Sequence, residues 1–376
     1  MSIETLIQSR IRQDIVSMHA YAIQDSVGMV KLDAMENPHR LPLDLQQQLG
    51  ERLGKLALNR YPDGRVNDLR AALASYADMP AGYDIMLGNG SDELISLLAL
   101  ACDVPPSAAS NHKPAVILAP LPGFVMYAMS AQLQGLQFVG VDLTADFELD
   151  VPAMLAAIDQ HKPAITYLAY PNNPTANLWD DAAMAQIISA VAEIGGLVVL
   201  DEAYQPFSSK TYLDTIRAIN LVNPAAHAHV LLMRTLSKFG LAGVRMGYMM
   251  GPKALIAEID KVRPPYNISV LNYECALFAL EHKEVFSAQA GELIAQRAML
   301  FDALSGIANV KAFKSDANML LLRVPDPQKT FDGMKARGVL IKNVSKMHPL
   351  LAGCLRLTVG TAEENATMVA AIKASI

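Results

Sequence analysis

The segment AITYLAYPNNPTANLWDDAAMAQIISAVAEIGGLVVLDEAY, residues 164–204, lays out the architecture in one unit. It opens on an apolar run (164–170) and passes through a Pro- and Asn-rich loop. An amphipathic stretch, DDAAMAQIISAVAEIG (180–195), follows, and then a second apolar run, LVVL (197–200). Neither run alternates with polar residues, which is the pattern of strands covered on both faces. The middle stretch repeats apolar residues at helical spacing, with Asp180 or Asp181 as its cap.

Outward from this unit the pattern repeats. AVILA (115–119), LQFVGV (136–141), VLLM (230–233) and MGYMMG (246–251) read as further buried strands. Pro114 to Val141 carries no charge, but its prolines and glycines rule out one lipid-facing helix; it reads as strand, loop, short helix and strand. Strand–helix alternation over this length predicts an α/β fold with a mostly parallel sheet covered on both sides.

The pattern changes at Arg263–Pro265, where two prolines break any helix. A long helix is expected from about Val270 to Leu304. Shorter strands follow (NMLLLRV, 318–324; GVLIK, 338–342; CLRLTV, 354–359), the pattern of a smaller α+β C-terminal domain. The expected division is an arm plus part of the small domain over 1–40, a large domain over 41–265 and a small domain over 266–376.

Composition narrows the function. The 376 residues are 52% hydrophobic and 18% charged, enough for a large core. A net charge of −6 argues against a nucleic-acid partner. The N-terminus has no signal-peptide core. Cys102, Cys275 and Cys354 are far apart and odd in number, so neither a disulfide framework nor a Cys-x-x-Cys metal site is offered. A soluble protein of the reducing cytoplasm is expected. His227-Ala228-His229 has no third ligand nearby, so no metal is expected. The 19 methionines read as core filler and Cys102 as an inert buried thiol.

In open parallel sheets, ligands bind beyond the carboxyl ends of the strands. Three apolar runs there lead into polar clusters: Pro171-Asn172-Asn173-Pro174-Thr175, Asp201-Glu202-Ala203-Tyr204, and Arg234-Thr235-Leu236-Ser237-Lys238 with Gly240, Gly243 and Arg245. A fourth cluster, Gly88-Asn89-Gly90-Ser91-Asp92-Glu93, opens an apolar helix (94–101). A lysine amine can form an imine with an aldehyde. A buried carboxylate can keep a pyridine nitrogen protonated. An asparagine amide and a tyrosine hydroxyl can donate to a phenolate. A glycine turn at a helix N-terminus, with hydroxyls and an arginine, can cradle a phosphate. Aldehyde, pyridine, phenolate and phosphate together describe pyridoxal 5'-phosphate.

YPNNPTAN, VVLDEAY and RTLSKFGLAGVRMGY closely resemble the signature segments of the fold-type I aminotransferases. Within them, LDAMENPHRLP, RYPDG, LGNGSDE and LRLTVGT resemble the histidinol-phosphate aminotransferase family, over about residues 20 to 370. The resemblance implies a seven-stranded sheet and a homodimer. It implies transamination between L-histidinol phosphate and 2-oxoglutarate, which in the biosynthetic direction joins imidazole-acetol phosphate and L-glutamate. Lys238 would be the Schiff-base lysine, Asp201 the partner of the pyridine nitrogen, and Asn173 and Tyr204 the holders of the phenolate oxygen. Ser91, Asp92, Thr235, Ser237 and Arg245 would hold the phosphate, and Phe124 would lie against the ring. Tyr61 would reach the phosphate of the neighbouring subunit's cofactor. Arg356 would bind the substrate carboxylate, with Tyr21 and Asn37 at the mouth. Where the family usually has an arginine, GVLIKN has Lys342, a point charge without the bidentate fork.

Other readings stay open on this scaffold: an aromatic-amino-acid aminotransferase or a phosphothreonine-type decarboxylase. A non-catalytic regulator is a third. Such regulators carry an added DNA-binding domain, and the roughly 40 residues ahead of the first motif predict none here.

Overall fold

The structure, a computed structural model, describes residues 2–18, 24–62, 66–102, 114–223 and 225–376. Its centre is a seven-stranded sheet. The order across it is Tyr83–Gly88, Gly247–Pro252, Val230–Thr235, Leu197–Asp201, Ile165–Ala169, Val116–Leu121 and Gln137–Asp142. Gly247–Pro252 runs antiparallel to both neighbours. The remaining pairings are parallel, as the apolar runs imply.

Register explains why these strands tolerate so little polarity. Leu168, Leu200, Leu232 and Met250 stand side by side across four strands, and none is exposed to solvent. Each such side chain contributes about 1.5–3 kcal/mol by leaving water. Helices cover both faces, with one apolar cluster around Leu168, Leu200 and Trp179 and another around Leu94, Tyr167 and Val199. One residue further along the strands, Ala169 and Met233 flank Asp201, and there the core gives way to a carboxylate.

Helix Asp181–Glu193 is capped by Asp180, whose Oδ1 accepts from the Ala182 and Ala183 amides. Strand Tyr83–Gly88 had no counterpart among the runs read from the sequence. The helix expected over 270–304 is two, Val270–Glu281 and Lys283–Ser305, broken at His282. GVLIK also divides. Val339–Leu340 pairs in parallel with Val30–Lys31, while Lys342–Asn343 joins an antiparallel sheet with Cys354–Thr358, Met319–Arg323 and Lys311–Ala312.

Residues 30–36 are therefore stitched to the C-terminal part of the chain. Leu32 O accepts from the Thr358 amide, Met35 N donates to Thr358 Oγ1, and Asn318 Nδ2 donates to Met35 O. No helix among the described residues is long and apolar enough to cross a membrane.

Candidate functional site

A cavity of about 330 Å3 opens at the carboxyl ends of the parallel strands. Its wall includes Ser91, Asp92, Phe124, Asn173, Asp201, Tyr204, Thr235, Ser237, Lys238 and Arg245. The sheet thus gathers residues spread over more than a hundred and fifty positions of sequence, because parallel strands end on one edge.

Asp201 closes strand Leu197–Asp201 and is 4% exposed. Its carboxylate accepts from the Tyr127 hydroxyl at 2.7 Å and from the Ala203 amide at 3.1 Å. Burial outweighs these donors and pushes its pKa up to about 6. Lys238 lies in a tight turn after strand Val230–Thr235, and its Nζ donates to Ala34 O at 2.9 Å. Burial, then the charge on Arg356, pushes its pKa down to about 8.

Asn173 joins two groups. Its amide donates to the Tyr204 hydroxyl at 3.1 Å, and its Oδ1 accepts from Arg356 Nη1 at 2.8 Å. Burial raises the Tyr204 pKa, so the phenol stays protonated. Arg356 also donates to Asp33 O at 2.9 Å.

The far end is built on backbone. Ser91 begins helix Ser91–Cys102, whose free N–H groups favour an anion. The approach is close: a Cβ on Gly247 would stand 2.6 Å from Gly90 C and 2.7 Å from Ser91 N. Only a residue without a Cβ brings the antiparallel strand against this turn. Thr235 Oγ1 donates to Ser237 Oγ at 3.0 Å, and Arg245 lies 3.3 Å from Asp92.

Among the described residues, the candidates Arg356, Lys342, Tyr61 and Asn37 lie outside this wall. Lys342 is paired in register with Arg356. Tyr61 is 77% exposed and stacks on Tyr266 with ring centroids 4.7 Å apart. Asn37 donates to Gln289 at 2.9 Å. Tyr21 lies outside the described residues.

The sequence reading missed Tyr127, which stacks on Tyr167 at 4.2 Å and bonds Asp201. Its signal was helical spacing, three residues beyond Phe124 at the start of helix Val125–Gln134. It also missed Ala34, Met35 and Glu36, which line the cavity from the N-terminal side.

Residues 27–372 match the family described as aminotransferase class I and II. The chain is 72% identical to the histidinol-phosphate aminotransferase of Polaromonas naphthalenivorans, covering 100% of this chain and 98% of that one. It is 66% identical to the enzyme of that name from Methylibium petroleiphilum, covering 96% and 94%. Its fold is similar to the crystal structure of histidinol-phosphate aminotransferase from Sinorhizobium meliloti in complex with pyridoxal-5'-phosphate, with a TM-score of 0.80, 22% identity and 97% of each chain covered. The chain belongs to the class I and II aminotransferases, alongside curated relatives that carry the name histidinol-phosphate aminotransferase.

Proposed function

We propose that this chain is a pyridoxal-phosphate-dependent aminotransferase of histidine biosynthesis. It transfers an amino group from L-glutamate to imidazole-acetol phosphate, yielding L-histidinol phosphate and 2-oxoglutarate. The observation that carries this reading is a buried amine, a buried carboxyl and a glycine-lined helix N-terminus around one cavity, in a chain 72% identical along its length to a histidinol-phosphate aminotransferase.

The residues fit the cofactor group by group. Asp201 is a buried carboxyl that needs a cation or a proton beside it, and a protonated ring nitrogen supplies one. Lys238, with its pKa near 8, keeps part of its amine neutral and nucleophilic at ordinary pH. The Ser91 and Asp92 amides, the Thr235 and Ser237 hydroxyls and Arg245 suit a phosphate.

When bound, pyridoxal phosphate supplies an aldehyde carbon for the amino group and a conjugated ring that accepts electron density. Asp201 holds a proton on the ring nitrogen, and Tyr127 holds Asp201. Asn173 and Tyr204 would donate to the ring oxygen, and Phe124 would pack beside the ring. Lys238 would hold the cofactor aldehyde, and its Nζ would carry the proton removed from the substrate Cα. Arg356 would bind the substrate carboxylate, Lys342 would take the substrate phosphate, and Asn37 would belong to the mouth.

The site is completed in a homodimer, with Tyr61 of a second copy reaching the cofactor phosphate. The same reading divides the chain at about residues 40 and 265 and places the enzyme in the cytoplasm, which suits its free cysteines.

The test is a half-reaction panel followed by cofactor absorbance. L-glutamate and L-histidinol phosphate should each convert the bound cofactor to its amine form. Conversion by phenylalanine or tyrosine but not histidinol phosphate would return an aromatic aminotransferase. Carbon dioxide release from phosphothreonine would return a decarboxylase.

A further inference from the structure

Behind the cavity, on the other side of the same two strand ends, lies a charge pair the proposed chemistry does not use. Glu202 follows Asp201, and Arg234 precedes Thr235. Successive side chains of an extended chain point to opposite faces. Asp201 and Thr235 accordingly line the cavity, whereas Glu202 and Arg234 do not. They are 1% and 5% exposed. Arg234 Nε and Nη2 approach Glu202 Oε2 at 2.9 and 2.8 Å.

The pair is fully connected. Glu202 Oε1 accepts from the Tyr212 amide at 2.6 Å and the Thr211 hydroxyl at 2.8 Å, at the start of helix Tyr212–Val222. Arg234 Nη2 donates to Thr211 Oγ1 at 2.9 Å, and the Tyr248 hydroxyl bonds Arg234 from the antiparallel strand. The Glu202 amide donates to Met233 O at 2.8 Å. One ion pair thus ties together three strands and a helix where the sheet meets the cavity.

Such a pair is a poor stabiliser. Desolvating both charges costs about as much as their attraction returns, and apolar residues of similar volume often serve as well. What the guanidinium provides is direction, because Nε and Nη2 converge on one Glu202 oxygen while Thr211 and Tyr212 hold the other. A shift at Glu202 moves Asp201, its neighbour in the chain. A shift at Arg234 moves Thr235 and the turn that carries Lys238.

We propose that Glu202 and Arg234 are positioning residues, whose pairing fixes the two strand ends so that Asp201 and Lys238 stand in the relation the reaction needs. This rests on the function proposed above.

The test compares the parent holoenzyme with the double variant Glu202→Met/Arg234→Met, which replaces the pair by apolar volume, and with Arg234→Lys, which keeps the charge and loses the fork. Both variants should fold, bind pyridoxal phosphate and melt within about 5 °C of the parent. In both, kcat should fall at least about thirtyfold with KM changed less than about threefold, the mark of an effect on the transition state. The pH midpoint of the bound cofactor's absorbance change should move by about half a unit or more, because the partner of the ring nitrogen has shifted. A folded double variant with the parent's kcat and midpoint overturns the proposal. So does failure of both variants to fold, since the pair would then serve the fold alone. A parent that takes up no pyridoxal phosphate fails the functional reading instead, before any variant is compared.

Discussion

Lys342 and Arg356 stand directly opposite each other across an antiparallel ladder, with the Arg356 guanidinium bonded to Asn173. Residues opposite in such a ladder share a face, and like charges there repel. Two cations on one face can meet the same anion, and carboxylate and phosphate both qualify. Arg356→Ala should lower kcat/KM thirtyfold to several thousandfold for glutamate and for histidinol phosphate, matching about 2–5 kcal/mol for a broken buried ion pair. Lys342→Ala should weaken histidinol phosphate more than its dephosphorylated analogue. Steady-state kinetics with the three compounds checks both, and equal losses for phosphorylated and dephosphorylated forms would remove Lys342 from phosphate recognition.

Asp201→Asn should slow turnover far more than threefold, since a neutral amide no longer holds the ring nitrogen protonated. A change within about threefold, under roughly 0.7 kcal/mol of barrier, would refute the role. Stability of the cofactor-free protein should move the other way. The folded pKa of Asp201, about 6, lies above its ordinary value of 3.8, so the fold favours the protonated acid. Its relative contribution is full below pH 3.8 and is lost as pH rises through 6. Asp201→Asn should therefore stabilise the apo-protein at pH 7 by up to about 3 kcal/mol, with the gain fading near pH 4. Denaturant melts at the two pH values decide it.

Lys238 should be the residue to which borohydride fixes the cofactor, identified by mass spectrometry of the peptide. Loading depends on neutral amine, so its rate should rise as pH passes through about 8. Removing the charge of Arg356 by Arg356→Ala should shift that profile to higher pH, because this guanidinium helps depress the amine. Labelling of another lysine, or a profile unmoved by the variant, counts against the assignment.

Tyr61, exposed beside Tyr266, should act in trans. Mixing Tyr61→Phe with Lys238→Ala should yield hybrids with one intact and one doubly altered site, regaining activity that neither parent has. A fully active species of monomer mass in light scattering would exclude the shared site.

The parallel strands are readable because a strand buried on both faces must be apolar throughout, as in Ile165–Ala169. Tyr83–Gly88 escapes because Asp84 interrupts it and its last residues read as part of the glycine turn. The break at His282 is hard to read, since neither proline nor glycine stands there and the polar run Glu281-His282-Lys283-Glu284 also suits an exposed turn of one continuous helix. The division of GVLIK depends on Val30–Lys31, a partner three hundred positions away that no local pattern reveals. The site is legible where one residue type implies one chemistry, as with Lys238 and Asp201. It is not legible where a group works through a neighbour: Tyr127 looks like ordinary core, and Arg234 like one more polar residue of the strand-end cluster, until their hydroxyl and guanidinium are seen to meet carboxylates.

The stitching of residues 30–36 to the C-terminal strands has a kinematic consequence. Ala34, on the cavity wall, and Lys342 and Arg356, outside it, belong to one hydrogen-bonded body although three hundred residues separate them. Any rigid displacement of that body carries Ala34, Lys342 and Arg356 together, like parts of one visor. Lys238 and Asn173 tie the sheet to that body through Ala34 O and Arg356, so whatever occupies the lysine amine removes one of these ties.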